Sequence, residues 1–208
     1  MTVRIHPTAI VEPGVEIGEG TSVWDNVHLR GPAWIGRDCI IGEKTYVAYG
    51  VTIADRVKIN AYVYIPTGVR IETGVMISAG TIFTNDRFPR ATTADLSALR
   101  DSGPDEHTEE TTVRAGATLG AGCRIGPGLE VGAFAMVGMG AVVTRDVAPH
   151  TLVVGHPARA AGLVCRCGAP VFRGDPSVAP DGPVACDACG QGYVIDGGGL
   201  RETAVATP

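Results

Sequence analysis

An aliphatic residue recurs at every sixth position: Val11, Ile17, Val23, Leu29, Ile35, Ile41, Val47, Ile53, Ile59, Ile65, Ile71 and Ile77, ending on the aromatic Phe83. Two residues before each beat from Ile17 onward stands a small or β-branched companion, as in Val15, Thr21, Val27, Ala33, Cys39 and Thr45. Residues two apart on an extended segment face the same way. Each hexad therefore offers a short strand with two inward side chains, then a corner rich in Gly, Asp and Glu. Neither an amphipathic helix nor a hairpin sheet has an apolar period of six over so many cycles. A coil of flat sides has, with each turn stacked on the last by parallel pairing. The beat stops in FTNDRFPR (83–90) and resumes in phase at Val113, running through Leu119, Ile125, Val131, Val137 and Val143. Pro149 lacks a ladder donor and is expected to end it. Cys39 and Cys123 fall on inward positions and read as buried small residues.

A chain of 208 residues suits one domain plus a small appendage. Its 29 glycines fit frequent tight corners. A formal net charge of -5 argues against nucleic acid or an acidic membrane as the main partner. The N-terminal stretch has no signal-peptide pattern, and no apolar run reaches membrane-spanning length. The expected location is the cytoplasm.

From about His6 to about Arg159 the hexads resemble the hexapeptide-repeat acyltransferases. That resemblance implies an all-β fold: a left-handed parallel β-helix of triangular section, three hexads to a coil, with an extruded loop at 84–112 and a small C-terminal zinc-ribbon-like tail. The expected domains are 1–163 and 164–208. Coils stack about 4.8 Å apart, so an eighteen-residue step sorts outward residues into columns. One column reads Ile10, His28, Tyr46, Tyr64, Ile82, unusually apolar for an exterior. The family's homotrimer is expected to pack through it.

FTNDRFPR, GATLGAGCRIG, VGMGAVVTRDV and VVGHPAR together resemble the sugar-nucleotide branch of that family, which transfers an acetyl group from acetyl-CoA to an amino group of a UDP- or dTDP-linked sugar. The resemblance implies an acyl-CoA-dependent N-acyltransferase. Such chemistry needs an unprotonated amine beside a thioester and donors for the oxyanion. The thiol is acidic enough to leave without a strong general acid, and positioning supplies much of the rate. Asn85 and Asp86 read either as sugar-binding, catalytic groups or as a polar turn. His28 reads either as the base that takes the amine proton or as a packing histidine. Tyr64, Arg87 and Arg90 are the expected substrate-binding residues, the arginines for a diphosphate. Gly138, Gly140, Ala141, Pro157 and Arg159 are expected at the CoA site. His107, in DEHTEE, reads as solvated. The pattern departs from relatives acting on 3-amino uronates at Ala61-Tyr62, where those carry an asparagine pair, which keeps a non-sugar amine open.

After the beat ends, Cys165, Cys167, Cys186 and Cys189 form two close pairs, each followed by Gly. Four thiolates suit a structural zinc that a small ribbon needs in order to fold; free thiols or a redox pair are the alternatives. Residues after Leu200 are expected to fray. Two further readings compete: a catalytically silent β-helical scaffold, and a hexapeptide acyltransferase for a non-sugar amine or alcohol. A γ-type carbonic anhydrase is disfavoured because His6, His28, His107, His150 and His156 lack close His-x4-His spacing, and a serine O-acetyltransferase because no helical domain precedes the repeat.

Overall fold

In a computed structural model, which describes residues 2–203, the hexads form strands of two or three residues that stack into three parallel faces. The register follows the eighteen-residue step. One face pairs Ile10 with His28, His28 with Tyr46, and Tyr46 with Tyr64. A second pairs Glu16 with Trp34 and Trp34 with Thr52, and the third pairs Ser22 with Ile40 and Ile40 with Lys58. The beat residues fill the interior: Leu29, Ile41, Val47, Ile59, Ile65, Ile77, Phe83, Leu119 and Ile125 are all fully buried. Each such aliphatic side chain contributes about 1.5–3 kcal/mol of burial energy. Val11, Val15 and Ile17 remain half-buried because the first coil has a neighbour on one side only. Cys39 and Cys123 are buried thiols, as their positions imply.

Threonines at companion positions keep the core polar groups satisfied, since a buried hydroxyl without a partner is costly. Thr21 Oγ1 donates to the Gly36 carbonyl at 2.8 Å and Thr45 Oγ1 to the Asn60 carbonyl at 3.1 Å. The corners also keep the six-residue period: Asp38, Lys44, Gly50, Arg56, Tyr62 and Gly68 all have φ between 56° and 88°. Stacking is tight enough to demand glycine at Gly42, where a Cβ would lie 2.6 Å from the Asn60 carbonyl carbon.

The loop interrupts the chain without disturbing the stack. Beyond Phe83 the partners of Val69, Met76 and Ile82 are Thr111, Thr118 and Arg124, an offset of 42 rather than 18 on every face. No helical turn forms over Thr93–Arg100. Thr92 and Leu99 make an antiparallel bridge instead, and Asp95 accepts from the hydroxyls of Thr93 at 2.5 Å and Ser97 at 2.8 Å. Such short-range side-chain bonds compete successfully with a helix.

Pro149 ends the six-residue beat but not the sheet. Thr151–Gly155 still pairs in parallel with the previous coil, Met136 with Leu152, because the proline sits in the corner, where no ladder donor is needed. The chain then folds back as Ala158–Val164 and again as Pro170–Arg173, both antiparallel. The expected 163/164 boundary thus falls inside a strand. A second hydrophobic cluster gathers Leu163, Cys165, Cys186, Tyr193, Ile195 and Leu200. Fraying after Leu200 is not observed at Arg201 and Glu202, which pair with Val194 and Tyr193; residues 204–208 lie outside the described residues. Among the described residues no helix is long and apolar enough to cross a membrane.

Candidate functional site

The loop folds back on the corner that follows Tyr64 and encloses a polar cavity of about 270 Å³. Asn85 and Asp86 enter it from the loop, Tyr46 and Tyr64 from the β-helix, and Arg30, Arg90 and Arg100 line it. The two tyrosine rings stack with centroids 5.2 Å apart and planes 9° apart. Asn85 anchors the loop: its Nδ2 donates to the Thr67 carbonyl at 3.1 Å and its carbonyl accepts from the Glu109 N–H at 2.8 Å. Asp86 Oδ1 accepts from the Phe88 N–H at 2.8 Å, and Asp86 bridges to Thr108.

Arg87 does not line the cavity. Its Nε and Nη2 hold the Glu109 carboxylate at 2.5 and 2.7 Å, a bidentate strut. That guanidinium holds the Glu109 carboxyl below its ordinary range. The cation that faces the cavity in its place is Arg100, tied to Asp105 at 2.5 Å. Nothing in the six-residue beat pointed to Arg100, because only the loop's fold brings it there. His107 packs edge-on against Phe88 at 5.4 Å and also stays outside the cavity.

His28 lies beside the cavity rather than in its wall, edge-on to Tyr46 at 5.5 Å. Its Nε2 is 2.9 Å from Glu12 Oε1, and Glu12 also accepts from Arg30 Nε at 3.2 Å and the Gly31 N–H at 3.3 Å. The contacts from His28, then Gly31 and Arg30, hold the Glu12 carboxyl below its ordinary range, against the smaller opposing effect of burial. With the Nε2 proton facing Glu12, Nδ1 carries the lone pair and is the ring nitrogen able to accept a proton. Glu12 and Arg30 are one coil apart, so the eighteen-residue step would have revealed this pair.

A second cavity, of about 380 Å³, opens at the end of the stack. Its walls are Val143–Ala148, the turn-back strand at 158–160 and two tail segments, with Arg145 and Arg159 as cations. Of the residues expected around CoA, only Arg159 lines it. Ala141 is fully buried, its side chain spent on the core. Gly138 is packed under Val154, whose Cγ1 lies 2.8 Å from where a Cβ would be. Gly140 has open space at its corner, and Pro157 is exposed beyond the cavity rim. Ala61 and Tyr62 lie on a corner outside both cavities, with Lys44 over the Tyr62 ring at 5.2 Å.

In the tail, the sulfurs of Cys165, Cys167, Cys186 and Cys189 all lie within 4.8 Å of one another. Cys165 and Cys189 are 3.5 Å apart, Cys167 and Cys186 3.7 Å. A tetrahedron with arms of about 2.3 Å has edges of about 3.8 Å, so the four thiols fit one metal ion. Burial opposes ionisation of Cys165, but the Cys167 N–H and the Tyr193 hydroxyl, 3.1 Å away, bring its thiol down to about 7.

These features define a parallel β-helix of stacked hexads that carries a polar loop-side cavity and a thiol-rich tail. Family models of hexapeptide-repeat transferases match parts of the chain: the bacterial transferase hexapeptide model matches residues 14–49, and the hexapeptide repeat of succinyl-transferase matches 32–67 and 112–145. Over 55 residues it is 42% identical to an acyl-[acyl-carrier-protein]–UDP-N-acetylglucosamine O-acyltransferase of Brucella ovis, covering 26% of this chain and 20% of that protein. The chain therefore spans about a fifth of the length of the curated relatives it matches. Among solved structures it resembles a point mutant of AntD, an N-acyltransferase from Bacillus cereus, in complex with dTDP and coenzyme A. The TM-score is 0.62 at 20% identity, over 73% of this chain and 84% of that one. It also resembles the acetyltransferase domain of PglB from Neisseria gonorrhoeae, with a TM-score of 0.53 at 21% identity over 76% and 57% of the two chains. At these identities the likeness concerns the fold.

Proposed function

We propose that the protein is an acyl-CoA-dependent N-acyltransferase, acetyl-CoA being the expected donor, that acts on the amino group of a UDP- or dTDP-linked amino sugar. The observation that carries this reading is the loop-side cavity. It combines a stacked aromatic pair, an amide, three carboxylates and three guanidinium groups in one polar recess. An aromatic platform suits a base or sugar ring, guanidinium groups suit a diphosphate, and Asn85 with Asp86 suits sugar hydroxyls or the amine. The N-acyltransferase described for AntD, in complex with dTDP and coenzyme A, supports the assignment.

In this reading the sugar amine loses its proton to His28 Nδ1, directly or through water, while Glu12 stabilises the imidazolium that results. The amine nitrogen attacks the thioester carbonyl, the carbon–sulfur bond breaks, and CoA departs as thiolate. Arg145 and Arg159 hold the donor's phosphates in the end cavity. The aromatic column forms the interface of a homotrimer, which would close the loop-side cavity from outside. The four tail cysteines hold one structural zinc, and their reduced state suits a cytoplasmic location. The 1–163 unit is the catalytic one, with 164–208 as its tail. The match to the O-acyltransferase favours a second reading, transfer to a sugar hydroxyl, but that match spans only 55 residues.

Acetyl-CoA with a panel of UDP- and dTDP-amino sugars, followed by mass spectrometry and by thiol release, tests the proposal. One acetyl group gained on a nitrogen per thiol released is expected. Acetylation on oxygen would favour the second reading, and saturable binding of neither ligand would leave a scaffold.

A further inference from the structure

The end cavity has walls of two origins. Arg145, Ala148 and Arg159 belong to the β-helix and its turn-back strand, whereas Asp175, Ser177 and Gly198 belong to the tail. The tail segments are clamped together, since a Cβ on Gly198 would lie 2.9 Å from the Pro176 carbonyl oxygen. Asp175 Oδ1 takes the Ser177 N–H at 3.0 Å and Asp181 Oδ1 the Gly197 N–H at 2.9 Å. In sequence the first segment lies between the two cysteine pairs, and the second follows them across the strand Gly192–Asp196.

A chain of contacts fastens this wall to the β-helix. Tyr193 donates its hydroxyl to Cys165 Sγ at 3.1 Å and accepts the Arg166 N–H at 3.0 Å. The Arg166 guanidinium lies 5.3 Å from the centre of the Phe134 ring, a β-helix corner residue. His150 stacks on Phe134 at 5.3 Å, meets Tyr193 edge-on at 5.4 Å, and reaches the Val164 carbonyl at 3.0 Å. The tail's own hydrophobic cluster has few members, and a unit that small needs metal to hold its shape.

We propose that the tail is a metal-fastened wall of the acyl-donor site, so that loading of the four thiols sets the affinity for acyl-CoA. This rests on the reading that acyl-CoA occupies the cavity at Arg159. Both lining cations come from the β-helix side, which also carries the Asp146 carboxylate, whereas the tail side offers a carboxylate, Asp175, and no cation. The donor's phosphates therefore lie against Arg145 and Arg159, and its uncharged stretch passes along Ser177 and Gly198. Losing the metal frees both cysteine pairs and, with them, the segments that close this side.

Calorimetric titration of the full-length, zinc-loaded protein with acetyl-CoA, and separately with UDP and dTDP, tests this in two arms. Ser177→Trp fills the cavity from an exposed tail position. In the other arm a chelator strips the metal, and zinc is then added back. Each arm is expected to weaken acetyl-CoA at least tenfold and to leave nucleotide affinity and sedimentation unchanged, with zinc restoring the stripped sample. Unchanged acetyl-CoA affinity in either arm overturns the proposal while the acyltransferase reading stands. No saturable acetyl-CoA binding by the untreated protein overturns that reading, and this proposal with it.

Discussion

Replacing Asn85 by alanine removes the side-chain bond from the start of the loop to the β-helix corner at Thr67. Asn85 Nδ2 lies 3.1 Å from the Thr67 carbonyl, and Thr67 Oγ1 in turn donates to the Tyr49 carbonyl at 2.9 Å. The backbone bond from the Glu109 N–H to the Asn85 carbonyl survives the change. A neutral hydrogen bond of this kind contributes about 0.5–1.5 kcal/mol. The lost contact from the amide oxygen to a bound sugar adds a similar amount, for a total of about 1–3 kcal/mol. In rate terms that is roughly 5- to 150-fold off kcat/KM for the sugar nucleotide. Because the loop supplies Asp86, Arg90 and Arg100 to the same cavity, its displacement is expected to lower kcat as well as raise KM. The assay is a thiol-release titration against each substrate, with acetyl-CoA affinity measured in parallel and expected to stay the same. Thermal unfolding should change little, since Asn85 stands outside the buried core. A variant that keeps wild-type kcat/KM in a folded protein would refute the placement of the sugar in this cavity.

Ile53→Asp places a carboxylate at a position only 2% exposed, between Ile35 and Ile71; an unpaired buried charge of this kind is expected to abolish folding, read as loss of β-sheet circular dichroism. Tyr64→Asp, on the outward column and 45% exposed, should keep that signal but shift sedimentation from trimer towards monomer; an unchanged trimer would refute the interface assignment. Glu72 receives Arg114 Nη1 at 2.8 Å and the Ala115 N–H at 2.9 Å, and its carboxyl is held below the ordinary value of 4.5, mainly by Arg114. Its contribution to stability is thus complete above about pH 4.5 and fades as pH falls through the lower folded value. Melting curves of Glu72→Gln should lie slightly below wild type at neutral pH and converge with it in acid, the gap being small because the pair is exposed.

The stack was legible in the sequence because one rule, repeated, determines both burial and neighbours. Ile10, His28, Tyr46 and Tyr64 could be aligned by counting, and they pair in that order. The same counting reaches some site contacts, such as Glu12 with Arg30 and Tyr49 with Thr67. It fails where the chain leaves the repeat. Arg87 looked like a ligand for a diphosphate from its place in FTNDRFPR, yet it is tied to Glu109, across the base of the loop. Arg100 and Asp105 enter the cavity wall through turns built from Asp and Thr side chains, which carry no period. The turn-back after Pro149 was equally hidden, because a proline in a corner and a proline in a ladder read alike in one dimension. The tail cysteines were legible from their spacing, but their closeness to the end cavity was not, since no repeat relates residues near 176 to residues near 145.

The constant offset across the loop makes the scaffold indifferent to what is inserted at that corner. Val69, Met76 and Ile82 each find partners displaced by the same amount, so the excursion adds length without rotating the stack or changing which side chains face inward. Only the two anchoring points, at Phe83 and Thr111, must stay together. The loop is in this sense a removable cassette on a ruler. The excursion can be rewritten there, residue by residue or wholesale, while the folding problem solved by the coils remains the same.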